Sequence, residues 1–122
     1  MSKTQEKELP LRREKLWLDD ERLPPSDGWD WGRTFMGAIE LVLTHGIAYD
    51  EFSLDHDLGS DEPTGFDFIR WVVTVRSDLL PRIIRVHSAN PVGAEKMVQA
   101  IEDAGIYTKR TLHGTGYERE DL

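Results

Sequence analysis

Short apolar runs recur along the chain, each ending in a cluster of polar residues, and stretches with helical spacing separate them. Leu16-Trp17-Leu18 runs into Asp19-Asp20-Glu21-Arg22. Phe52-Ser53-Leu54 runs into Asp55-His56-Asp57 and then Gly59, and Ile83-Ile84-Arg85-Val86 runs into His87-Ser88-Ala89-Asn90. An apolar run of this length that stops at acids and glycine reads as a buried strand whose tip carries polar groups into a loop. The first run shows no clean period-two alternation, as expected of a strand covered on both faces.

Helical signals fill the intervals. Thr34 is placed to N-cap a helix running to about His45, with Phe35, Ala38, Ile39 and Val42 on one face and Gly46 as its stop. A second helix, from about Gly65 to Arg76, turns Phe68, Ile69, Val72 and Val73 toward a core. Asn90-Pro91 opens a third that runs to about Ala104, directing Met97, Ile101 and Ala104 inward and closing at Gly105. Leu23-Pro24-Pro25-Ser26-Asp27-Gly28 excludes helix and reads as a surface loop. Ile106 to Leu112 reads as a last strand. Alternating strands and helices predict parallel strands joined by right-handed crossovers, an α/β doubly wound parallel sheet sandwich. The pattern divides the chain into a polar lead-in over 1–14, where only Leu9, Pro10 and Leu11 would dock, a domain over 15–113 and a polar tail over 114–122. Ligands of such sheets bind beyond the carboxyl ends of the strands, so the three polar tips should converge on one crevice.

Composition narrows the classes of function. A chain of 122 residues, 39% hydrophobic and 31% charged, suits one globular domain with its own core. The absence of cysteine excludes a disulfide, a thiol nucleophile and a thiolate metal site, and fits a cytoplasmic setting. Residues 1–15 lack the apolar centre of a signal peptide, and no apolar run approaches the roughly 20 residues that span a bilayer, so no membrane partner is expected. A net charge of −8 argues against binding duplex DNA but leaves open a single nucleotide or an RNA terminus. Assembly as a homodimer is compatible with this composition.

The converging tips define candidate chemistry. Asp19, Asp20, Asp55 and Asp57 crowded together would repel one another unless a cation intervened, and Mg²⁺ suits such oxygen ligands. Each acid also has a structural role open to it, as a helix cap or an acceptor of loop amides. His56 and His87 can act as acid and base near neutral pH, with His87 read as the base and His56 as the acid. Ser88, Asn90 and the amides opening the third helix suit a phosphate, although capping alone accounts for Asn90. Arg22 or Arg33 could clamp a phosphate, or serve as a surface ion-pair partner. Trp29 and Trp31 could stack on a nucleobase or cover the sheet.

Taken together, Leu-Asp-Asp-Glu-Arg, Pro-Pro followed by Gly-Trp-Asp-Trp, Ser-Leu-Asp-His-Asp-Leu-Gly and His-Ser-Ala-Asn-Pro resemble the cyclic-phosphate-processing receiver domains, over roughly residues 15–104. The resemblance implies a receiver or flavodoxin-like fold and a small cyclic nucleotide or an RNA end bearing a 2′,3′-cyclic phosphate as partner. It also implies that Asp19 and Asp20 match the metal-binding acid pair of receivers, Asp55 the phospho-acceptor and Ser88 the phosphate-sensing hydroxyl. The chain departs from ordinary receivers in three ways. The interval from Asp20 to Asp55 is short, so one βα unit is expected to be missing or reduced. No Lys-Pro follows the last strand, where Lys109 is the lone lysine, and His56 and His87 are not receiver features. Two functions follow as expectations: a metal-dependent cyclic phosphodiesterase using Asp55, His56 and His87, or a non-catalytic receiver-like sensor, phosphorylated on Asp55 in one version. A haloacid-dehalogenase-like phosphatase fits less well, because it wants Asp-x-Asp where Asp19-Asp20 stand adjacent.

Overall fold

Four strands, β1 (Lys15–Leu18), β2 (Trp29–Gly32), β3 (Glu51–Leu54) and β4 (Ile83–Val86), lie parallel in the order β2-β1-β3-β4. Two short strands, β5 (Lys109–Arg110) and β6 (Gly116–Glu118), extend the sheet past β4. There β6 pairs antiparallel with both β4 and β5. Three helices, α1 (Phe35–His45), α2 (Gly65–Val75) and α3 (Pro91–Asp103), make the crossovers, and a short 3₁₀ turn at Ser77–Leu79 follows α2. This computed structural model describes residues 13–111 and 116–119.

The helices start and stop where local chemistry dictates. The Thr34 hydroxyl accepts from the Gly37 amide at 2.9 Å and Gly46 closes α1. Thr64 and Asp67 cap α2 reciprocally. Asn90 caps α3 by accepting from the Gly93 amide at 3.1 Å, with Pro91 in the first turn. Strand register then builds the core. Leu16, Phe52 and Ile84 align across β1, β3 and β4, as do Leu18, Leu54 and Val86, and Val42, Phe68, Met97 and Ile101 of the helices close over them. No helix among the described residues is long and apolar enough to cross a membrane.

The crossovers β2→α1→β3 and β3→α2→β4 step across the sheet in the same direction, so right-handed connections put both helices on one face. There α1 packs on α2 and α2 on α3. The opposite face carries Lys15, Trp17, Trp29, Trp31, Glu51, Ser53 and Arg85, and no described helix covers it. The one parallel connection in the reverse direction, β1→β2, would have placed a helix there, but it is made by the irregular loop 19–28 instead. The receiver-like α/β fold thus stands as expected, and the reduced βα unit keeps its strand while lacking its helix. Tryptophans and an Arg85–Glu51 ion pair at 2.7 Å occupy that face. Trp17 meets Trp29 edge-on with ring centroids 5.6 Å apart, and Lys15 lies over Trp29.

Two details differ from the sequence reading. Trp29 and Trp31 form a strand where the sequence reading assigned no element, and the tail beginning at residue 114 contributes β6. A three-residue strand whose main apolar contribution is Tyr117 is too short for periodicity to announce, yet Tyr117 is buried beside Ile84 in the core. Of the expected last strand over Ile106 to Leu112, only Lys109–Arg110 pairs, and Leu112 falls outside the described residues. So do Leu9, Pro10 and Leu11.

The contact between α2 and the tip of β3 leaves no room for a side chain at Gly65. A Cβ there would lie 1.9 Å from the Asp55 carbonyl oxygen and 2.8 Å from Cε of Met97. Gly65→Ala should lower stability by roughly 1–3 kcal/mol by forcing the helix off the strand tip, read as a shift in the urea unfolding midpoint without a change in slope. An unchanged midpoint would show that the contact yields freely.

Candidate functional site

The carboxyl ends of β1 and β3 bring one oxygen each from Asp19, Asp20 and Asp55 within 4.8 Å of one another. Asp19 is buried and follows directly on β1. One of its oxygens accepts from the Glu21 and Arg22 amides at 2.9 and 2.8 Å, folding the loop back over the strand. The other lies 3.0 Å from Nε2 of His87. Burial alone would push this carboxyl up, but the Arg22 and Glu21 amides and the imidazole outweigh it and hold Asp19 below the usual carboxylate range.

Burial pushes His87 below its ordinary value despite the neighbouring carboxylates, so the ring is neutral at neutral pH. Since a carboxylate only accepts, Nε2 carries the proton. Nδ1, 2.8 Å from Oγ of Ser53, then accepts from that hydroxyl. Trp17 stacks on the imidazole at 3.9 Å, within 7° of parallel. Both nitrogens of His87 are therefore engaged in orienting Asp19, and the ring faces the helix-free side. Sequence reading overlooked Ser53 and Trp17 here, although a serine inside a buried apolar strand was a visible signal.

Asp55 behaves oppositely to Asp19. It is buried, and burial together with the Asp19 charge raises its carboxyl. The His56 amide, which donates at 2.8 Å, the His87 ring and the Ser88 hydroxyl offset only part of this. Two carboxylates this close, one raised by the other, are the electrostatic setting in which a divalent cation relieves repulsion.

A cleft of about 470 Å³ opens over Asp20 and Asp55, lined also by Arg22, Asp57, Gly59 and Ala89. Arg22 reaches across it, lying 3.8 Å from Asp19 and donating to the His87 carbonyl at 3.2 Å. Asp57 stands apart from the three clustered acids. It is exposed, and hydrogen bonds from Nδ1 of His56 at 2.8 Å and from Asn90 hold it below the usual range. His56 itself lies against the first turn of α3, where a Cβ on Gly93 would come within 2.4 Å of the ring. Neither imidazole lines the cleft. The Ser88 hydroxyl accepts from the Asn90 amide at 3.0 Å and so shapes the turn into α3. Trp31 is also outside the cleft, its indole donating to the Asp19 carbonyl at 2.8 Å. Trp17 does the same for the Arg22 carbonyl at 2.7 Å, so two indoles hold the acidic loop.

The family described as the cyclic-phosphate processing receiver domain matches residues 14–103. The chain belongs to this family. No curated protein and no solved structure matches it. As a member, it is a receiver domain tied to cyclic-phosphate processing. Its acids suit the divalent cation of receivers, since three oxygen donors converge and the mutual repulsion of Asp19 and Asp55 asks for a positive charge. Lys109 cannot take the place of a receiver lysine at this cleft. It is exposed on β5, which β6 separates from β4.

The raised carboxyl of Asp55 makes a signed prediction for the cation-free domain. A group raised on folding stabilises fully below the ordinary carboxylate range, and that stability is lost as pH rises through the folded value. With chelator at pH 7, Asp55→Asn should therefore melt a few degrees above wild type, the size of a stability change on the order of 1 kcal/mol. The gap should close on acidification and reverse when Mg²⁺ is added to both. Equal melting temperatures at pH 7 would show that the repulsion is absent.

Proposed function

We propose that this domain binds a cyclic phosphate over Asp19, Asp20 and Asp55 in a cation-dependent manner and hydrolyses it. The convergence of three carboxylate oxygens, those of Asp20 and Asp55 lining a cleft that also holds Arg22 and that of Asp19 buried beside them, carries this reading. Asp19, Asp20 and Asp55 would hold a divalent cation, which would neutralise phosphoryl charge and acidify an attacking water. Asp19 enters the set already ionised and oriented, because two amides and His87 fix both its oxygens. Arg22 offers a guanidinium to the remaining phosphoryl oxygens, and Ser88 a hydroxyl beside Asp55. Asn90 contributes indirectly by capping α3.

Proton handling falls to the Asp57–His56 pair rather than to His87. Asp57 lines the cleft and His56 stands behind it at 2.8 Å, so the carboxylate takes the proton of the attacking water on Oδ2 while the imidazole N–H, donating to Oδ1, orients it. A second reading, a sensor that binds without turnover, is favoured by the withdrawal of both imidazoles from the cleft.

The two readings separate when the protein is incubated with Mg²⁺ and adenosine 2′,3′-cyclic phosphate and followed by phosphorus NMR. Hydrolysis should yield adenosine 2′- or 3′-monophosphate, at a rate that Asp57→Asn lowers by about 100-fold. Saturable binding without product would establish the sensor and remove the role given to Asp57. Treatment with acetyl phosphate and intact-mass analysis tests the phospho-relay version of the sensor, which requires an adduct that Asp55→Asn abolishes.

A further inference from the structure

The walls of the acidic cleft are carboxylates, Arg22, Ser60 and small residues, with no aromatic ring among them. A base attached to a cyclic phosphate bound there finds no surface to stack on within the cleft. Of the rings that adjoin it, Trp17 is stacked on His87 and His56 lies against Gly93 of α3, which leaves Trp31. Its indole N–H holds the carbonyl of Asp19, the residue before Asp20, so the ring abuts the acidic loop from outside the cleft.

The Arg33 guanidinium lies over Trp31, 3.9 Å from the ring centroid. Beside this pair, at the β2 edge of the sheet, is a second hollow of about 440 Å³ lined by Trp31, Arg33, Thr34, Gly37, Glu40 and Leu41. It opens where β2 passes into α1, at the same carboxyl end of the strands as the cleft. Arg33 is exposed and, among the described residues, makes no ion pair with a carboxylate. A planar guanidinium already seated on an indole is a flat, cationic platform, and a nucleobase stacks on such a platform whatever its identity.

We propose that Trp31 and Arg33 form a second subsite, stacking the base of the nucleotide that precedes a terminal cyclic phosphate. The ligand of the cleft is then the 2′,3′-cyclic end of an RNA chain rather than a free cyclic mononucleotide. The inference rests on the cyclic-phosphate reading of the cleft. It is limited to two nucleotides, because with a net charge of −8 phosphates further along the strand meet a repelling surface.

Calorimetric titration in Mg²⁺ compares adenosine 2′,3′-cyclic phosphate with the adenosine di- and trinucleotides that end in the same group. The dinucleotide should bind about 10-fold more tightly than the mononucleotide, the gain expected of one stacked base, and the trinucleotide should add less than about 2-fold. Arg33→Ala should bring the ratio of dinucleotide to mononucleotide affinity close to one. Arg33→Lys, which keeps the charge but loses the plane, should do the same. Equal affinities in the wild type, or a ratio preserved in either variant, would overturn the subsite while leaving the cyclic-phosphate reading intact. A further 10-fold gain with the trinucleotide would overturn the limit of two. Failure of all three ligands to bind would instead overturn the reading of the cleft, and the subsite with it.

Discussion

The burial of an ionised Asp19 is the constraint around which this end of the molecule is arranged. A carboxylate removed from water must find compensating donors or lose its charge. Two loop amides and the His87 imidazole supply them, and each has a structural consequence. The amides turn the chain sharply after β1, which leads Asp20 and Arg22 to the cleft. The imidazole ties the β1 tip to the β4 tip and is itself steadied by Ser53 and stacked on Trp17. Asp55, lacking a comparable set of donors, bears the repulsion that results. Adjacent carboxylates therefore differ in character because one is provided for and the other is not.

The same region explains how the fold dispenses with a helix. In a sheet wound on both sides, a helix after β1 would cover the second face and order the acidic loop at its amino end. Here the adjacent prolines of the 19–28 loop forbid that helix. The indoles of Trp17 and Trp31 take over the second task by donating to the Arg22 and Asp19 carbonyls. Part of the first task passes to the aromatic rings themselves. Trp29, buried at 7% exposure, has an indole N–H with no acceptor among the described residues, a mark of how fully rings have replaced hydrogen-bonded structure on that side.

Much of this architecture was legible in the chain. Thr34, Thr64 and Asn90 are strong caps at the start of periodic apolar stretches, so the three helices could be placed to within a residue or two. Strand tips loaded with acids pointed to the cleft, because parallel sheets collect their carboxyl ends on one side. Side-chain direction was not legible. Nothing in the order Asp55-His56-Asp57 tells that the imidazole turns toward Gly93 of α3 while Asp57 stays exposed. Nor does the sequence reveal that both His87 nitrogens are taken by partners 34 and 68 residues distant. The strand at Trp29–Gly32 was hidden because an Asp lies between its tryptophans, and that Asp is satisfied by distant groups, the Tyr49 hydroxyl at 2.6 Å and Arg13 at 4.0 Å.

The pair of indoles that grip the acidic loop has a practical consequence. Both chromophores are hydrogen-bonded to the backbone that presents the carboxylates, and one is also stacked on the ring that holds Asp19. Any event that shifts this loop, whether cation entry or ligand capture, changes the polarity and quenching felt by Trp17 and Trp31. The emission spectrum of the native protein is thereby a built-in optical gauge of occupancy, usable without labels once replacing one tryptophan at a time separates Trp17 and Trp31 from Trp29 and Trp71.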